Sequence, residues 1–123
     1  MTTATKPDPR CGEVWLVDFD PSVGQEQRKV RPAAVLNPRQ VGRLDLRIVV
    51  PITSHKAGRD DIPWLVPLAK SSASGLTTDG HADTFQLKSL SLERFRRKLG
   101  ELSGDELLEI TTGIALCVGY SPT

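Results

Sequence analysis

The sequence predicts a mainly β domain, a small barrel or sandwich of short strands, completed by a single C-terminal helix. Two observations carry this. Short runs of β-branched and other apolar residues between positions 13 and 87 are separated by proline, glycine and polar breaks. From Ser103 the pattern changes to a capped, helix-periodic segment that runs to Gly119. At 123 residues the chain has room for one domain, expected over residues 11–120 behind a flexible N-terminal tail, residues 1–10.

The first strand is expected at residues 13–19 (EVWLVDF), whose nearly continuous apolar character suits a strand covered on both faces. Asp20, Pro21 and Gly24 break it with turn chemistry, and a polar loop, residues 24–32, follows. Arg31 stands directly before Pro32, which pushes it toward extended geometry at the entrance of the second strand, residues 33–36. A third strand spans residues 47–53, where Pro51 cannot donate to a ladder and implies a bulge or an edge. Residues 63–68 make a proline-bounded fourth strand, residues 70–80 a small polar loop, and residues 83–87 a fifth strand that places Gln86 and Lys88 on one face. Residues 92–98 read as a short basic helix. The last helix starts at a capping box, Ser103 with Glu106, flanked by a Leu102–Leu107 hydrophobic staple. Leu107, Ile110, Thr111 and Ile114 then repeat at helical spacing, and Gly119 suits its end.

Composition narrows the functional classes. The chain is 38% hydrophobic and 25% charged, as in soluble domains. No run approaches the ~18 apolar residues of a membrane span, and the first ten residues lack the apolar core of a signal peptide. Cys11 and Cys117 lie at opposite ends with no metal-like or redox-like spacing, which fits reduced thiols in a cytoplasm. A net charge of +1 argues against unselective coating of nucleic acid but leaves room for a local basic groove. Basic residues do cluster, at Arg28, Lys29 and Arg31, at Arg39, Arg43 and Arg47, and at Lys88, Arg94, Arg96, Arg97 and Lys98.

The sequence holds no phosphate-binding loop and no dinucleotide fingerprint, and His55 and His81 are too few and too isolated for a metal ligand set. Three places can carry chemistry: the loop with Glu26, Gln27, Arg28, Lys29 and Arg31; the strand end Thr53-Ser54-His55; and Gln86 with Lys88. Each has a plain structural alternative, namely a solvated loop, a hydroxyl-capped strand end and a polar strand face.

Taken together, residues 12–21 (GEVWLVDFDP), Gly24 to Gln27 and Val30 to Ala33, followed by residues 50–54 (VPITS) and Gln86 to Ser89, resemble the MazF/PemK family of toxin endoribonucleases. The resemblance spans roughly residues 11–118 and is most specific in its N-terminal part. It implies a small SH3-like β-barrel of the CcdB/PemK type with a C-terminal helix. It also implies a homodimer that cuts single-stranded RNA, including mRNA, without a metal or other cofactor, and a MazE-like antitoxin whose disordered tail fills the RNA groove. Carried onto this sequence, the catalytic pair falls on Arg31 and Thr53 and the loop acid on Glu26, which is the expected general base. Gln27, Arg28, Lys29, Ser54, His55, Gln86 and Lys88 are expected to contact RNA. Where some members carry an arginine and an aspartate before the strand glutamine, this chain has Asp83-Thr84-Phe85-Gln86, which favours the Arg31/Thr53 scheme; Phe85 is read as core rather than as a stacking surface. Two rivals remain: a non-catalytic toxin of the same fold that inhibits a protein such as DNA gyrase, and a degenerate RNA-binding module.

Overall fold

The computed structural model describes residues 7–38, 40–41 and 44–121. Seven strands form one antiparallel sheet: β1 (Glu13–Asp18), β2 (Val30–Val35), β3 (Leu46–Ser54), β4 (Leu65–Leu68), β5 (Gly80–Asp83), β6 (Lys88–Ser91) and β7 (Phe95–Glu101). One helix, α1 (Gly104–Cys117), ends the fold. The strands pair in the order β4-β5-β3-β2-β1-β7, with β6 beside β3. The two ends of this path do not pair, so the small barrel expected from the sequence is an open one.

Alternation along the central strands produces two cores. Val14, Ala34, Val50 and Ile52 pack with Val66, Leu68, Ala82 and Ile110 of α1. Their neighbours Val17, Ala33, Val35 and Val49 pack with Leu90, Leu92 and Phe95. A strand whose successive side chains enter opposite cores must be apolar throughout, which explains the continuous character of β1. Trp15 meets Phe95 edge-on, with centroids 5.9 Å apart.

Three sequence expectations are corrected. Residues 92–98 are not a helix: a single 3-10 turn, Leu92–Arg94, leads directly into β7. Ladder pairing to β1 outweighs local preference here, and it is reinforced by ion pairs from Arg96 to Asp18 (2.9 Å) and Lys98 to Glu13 (3.0 Å). The fifth strand lies three residues earlier than expected, because Thr84–Gln86 forms a 3-10 turn in which the Thr84 hydroxyl donates to the Trp64 carbonyl (2.7 Å). Gln86 and Lys88 therefore do not share a strand face. Pro51 occupies neither an edge nor a bulge. It is buried in interior strand β3, at the point where that strand exchanges β6 (pairing residues 46–49) for β5 (pairing residues 52–54). A missing N–H costs least where no strand is paired.

Part of the stretch read as a tail is docked. The Pro9 carbonyl accepts from Arg47 Nε (2.9 Å), and Asp8 pairs with Arg47 at 3.0 Å. Residues 1–6 lie outside the described residues, as do Arg39 and Arg43 of the second basic cluster.

The helix conforms to its sequence signals. Ser103 Oγ accepts from the Glu106 N–H (3.1 Å), and the Glu106 carboxylate accepts from the Ser103 N–H (2.9 Å). At the other end Gly119, at φ +72°, lets Tyr120 N–H reach the Ala115 carbonyl (2.8 Å) and its own N–H reach Leu116 (3.1 Å). No helix among the described residues is long and apolar enough to cross a membrane.

Candidate functional site

The β2–β3 register pairs Ala33 with Pro51. Carried two residues further, it sets Arg31 in line with Thr53, at the mouth where the two strands separate. Both residues line one pocket of about 450 Å³, together with Ser54, Thr77, Thr78 and Arg97. The Arg31 Nε donates to the Arg28 carbonyl (2.9 Å), which fixes the guanidinium plane, and its terminal nitrogens meet no hydrogen-bond partner among the described residues. Lys29, in the left-handed region at φ +65°, turns the loop into β2 and so sets the approach of Arg31. Thr53 is half-buried, and its hydroxyl donates to the carbonyl of His81 (3.4 Å), its partner on β5.

Charge is distributed unevenly around this pocket. On β7, Arg96 and Lys98 are neutralised by Asp18 and by Glu13 and Glu101. Arg31 and Arg97 have no acidic partner among the described residues, and no carboxylate lines the pocket they share. Two unneutralised guanidinium groups beside hydroxyl donors have the charge and hydrogen-bond donors to receive an anion such as a phosphodiester. Sequence reasoning missed Arg97 because residues 92–98 were read as a helix. Read as a strand with period two, Arg97 separates from its neutralised neighbours.

A second pocket, of about 490 Å³, holds four more of the expected residues, Glu26, Gln27, Gln86 and Lys88, with Phe85 on its wall, while Arg28, Lys29 and His55 line neither pocket. Glu26 is therefore not brought to Arg31 and Thr53. One carboxylate oxygen accepts from the Val23 N–H (2.6 Å) and the other faces Lys88 at 3.6 Å. The Val23 hydrogen bond first, and then the Lys88 charge, lower its pKa, so the group is an ionised and weak proton acceptor. Phe85 is 71% exposed instead of core, and it lies 6.1 Å from Trp64.

Gln86 serves the loop rather than facing outward. Its carbonyl oxygen accepts from the Gln27 N–H (2.9 Å) and its amide donates to the Gln25 carbonyl (3.0 Å), a two-point clamp across the chain. Replacing Gln86 by leucine removes both bonds, and the Gln27 amide is expected to exchange its hydrogen about tenfold faster, as ~1.4 kcal/mol of local protection is lost. Hydrogen-exchange mass spectrometry of residues 24–32 reads this directly.

Arg28 donates to the Gly24 carbonyl (3.0 Å), while Lys29 and Ser54 are exposed. His55 and His81, expected to be isolated, come together: their rings stack with centroids 4.8 Å apart, and both contact Asp60.

The structure is a small open barrel with one capped helix and a basic, hydroxyl-lined pocket at the β2–β3 mouth. The chain belongs to the PemK-like, MazF-like toxins of type II toxin–antitoxin systems, the family model matching residues 10–118. It is 34% identical over 113 residues to the endoribonuclease MazF9 of Mycobacterium tuberculosis, spanning 87% of this chain and 93% of that protein. Its fold superposes on the crystal structure of MazF from Deinococcus radiodurans with a TM-score of 0.76 at 28% identity, covering 90% of this chain and 96% of the other. The MazE–MazF structure from the same organism gives a TM-score of 0.69 at 25% identity, covering 92% and 97%.

Proposed function

We propose that this chain is the toxin of a type II pair, a metal-independent, sequence-specific endoribonuclease acting on single-stranded RNA and mRNA. It works as a cytoplasmic homodimer held inactive by a MazE-like antitoxin. The observation that carries the reading is Arg31, an unneutralised guanidinium in line with the Thr53 hydroxyl in one pocket. The family and the relatives named as endoribonucleases support the activity. A non-catalytic inhibitor would have no use for this pair, and the relatives do not favour one.

In the reaction the RNA 2′-oxygen attacks its own phosphorus while the bond to the 5′-oxygen breaks. Solvent water takes the 2′-hydroxyl proton and returns one to the 5′-oxygen, giving a 2′,3′-cyclic phosphate and a 5′-hydroxyl. Arg31 grips the non-bridging oxygens through its terminal nitrogens and stabilises the charge of the phosphorane. Thr53 donates to a phosphate oxygen and fixes its position. Arg97 adds charge on the same side. Gln27, Arg28, Lys29, Ser54, His55 and Lys88 line the path of the strand, whereas Gln86 holds the loop. Glu26, expected as the base, instead orders that loop through Val23 and Lys88.

The test is incubation of purified protein with long single-stranded RNA in EDTA, followed by end mapping. Cuts with 5′-hydroxyl ends support the reading, and intact RNA overturns it. Thr53→Val keeps the volume and removes the donor; it is expected to slow cleavage at least tenfold, about 1.4 kcal/mol of transition-state stabilisation.

A further inference from the structure

We propose that His55, Asp60 and His81 form a binding site for a divalent transition-metal ion of the zinc class, beside the cleavage pocket and outside its chemistry. Three separate pieces of chain supply the donors: the end of β3, the loop that follows it, and β5. The backbone holds two of them in place. The β3–β5 ladder pairs Thr53 with His81, and the His55 N–H continues it by donating to the Asp79 carbonyl (3.0 Å).

The donor atoms already converge. His81 Nε2 lies 2.8 Å from Asp60 Oδ1, and His55 Nε2 lies 3.2 and 3.3 Å from the two carboxylate oxygens. All three donors fit within 4.8 Å of one another. A tetrahedral ion with bonds of about 2.0–2.1 Å sets its ligand atoms about 3.3 Å apart, so His81 and Asp60 must separate by about half an ångström, and the widest donor pair, within 4.8 Å, must close by up to about 1.5 Å. Exposed His55 and Asp60 can make these shifts, while His81, fully buried, is the fixed member.

The chemistry selects the ion. Two imidazoles and a carboxylate suit zinc, cobalt or nickel, whereas magnesium and calcium prefer all-oxygen sets. The Asp60 carboxylate beside the two imidazoles supplies the negative charge of the donor set. Asp60 is 59% exposed, so the fourth position opens to water. His81 Nδ1 is buried without a hydrogen-bond partner, and its Nε2 is the nitrogen aimed into the cluster. A bound ion leaves the Nδ1 proton without an acceptor, and lack of such outer support costs about 10–100-fold in affinity. The site is therefore expected to bind well below the strength of closed structural zinc centres. Because the Thr53 hydroxyl donates to the His81 carbonyl, an occupied site also pins the strand end that presents Thr53.

The experiment is titration of tag-free, full-length protein with Co²⁺, followed by competition with Zn²⁺. One equivalent per chain is expected, with visible ligand-field bands and no thiolate charge-transfer band, which separates this site from Cys11 and Cys117. Asp60→Asn and His55→Gln, both at exposed positions, should each weaken binding at least tenfold; buried His81 is left in place because its loss endangers folding. The reading is overturned by no saturable binding, by a thiolate band, or by unchanged affinity in both variants. Any of these leaves a histidine–aspartate hydrogen-bond cluster only. Cleavage in EDTA is a separate readout, so failure here does not touch the nuclease reading.

Discussion

Arg31→Ala is expected to lower RNA cleavage by about 10²–10³-fold, the range seen when a preorganised donor is removed from developing negative charge. The size follows from the surroundings. No carboxylate lines the Arg31 pocket, so its charge is available to the phosphate in full. Its Nε is held by the Arg28 carbonyl, so little reorganisation is needed when the phosphorane forms. Lysine cannot reproduce the fork, so Arg31→Lys should recover only a small part of the rate. Arg97→Ala, which removes charge without the anchored fork, should cost less than Arg31→Ala. The Arg31 side chain makes one hydrogen bond to the fold and is half-buried, so in Arg31→Ala the melting temperature should move by only a few degrees. Quantitative cleavage assays paired with thermal melts check both halves; wild-type cleavage by Arg31→Ala would refute the catalytic assignment.

Gly100→Ala is expected to be among the most damaging small changes to stability, about 2–4 kcal/mol, or roughly 10–15 °C in melting temperature. A Cβ at Gly100 would lie 2.2 Å from the Ala73 carbonyl oxygen and 2.5 Å from the Ser74 carbonyl carbon. The opposing glycine is as crowded: a Cβ at Gly75, already at φ +76°, would lie 2.2 Å from the Leu99 carbonyl oxygen. Two backbones meet here with no room for a side chain, and the Glu101 N–H donates to the Ala73 carbonyl at 2.8 Å across the seam. The contact carries Gly75, Leu76, Thr77 and Thr78 to the Arg31 pocket, so cleavage should fall with stability. A calorimetric scan of the variant against the parent decides it; an unchanged melting temperature would mean that the turn moves aside freely.

What the sequence revealed was what is encoded locally. The α1 boundaries were legible because Ser103, Glu106 and Gly119 act within a few residues of their own positions. The polar loop and the Arg31–Pro32 entrance were legible for the same reason, and the resemblance linked Arg31 to Thr53. The failures all depend on partners distant in the chain. Residues 95–101 are a strand because β1, about eighty residues earlier, offers them a ladder. His55 and His81 looked isolated because only the β3–β5 pairing and the intervening loop bring them to Asp60. Gln86 looked like an outward-facing strand residue because nothing near it in sequence indicates that its amide is taken by Gln25 and Gln27. Phe85 is apolar and reads as core, yet the 3-10 turn carries it outward.

The Gln86 clamp has a genetic consequence. The loop that presents Arg31 is held by a segment about sixty residues later, and that segment rests on the helix, since a Cβ at Gly113 would lie 3.0 Å from Thr84. In a selection for alleles that have lost cleavage, inactivating changes should therefore fall into two groups. One comprises the residues expected to meet RNA. The other runs through Gln86, Thr84 and Gly113, positions expected to touch no substrate, and second-site suppressors of that group should lie between residues 24 and 32.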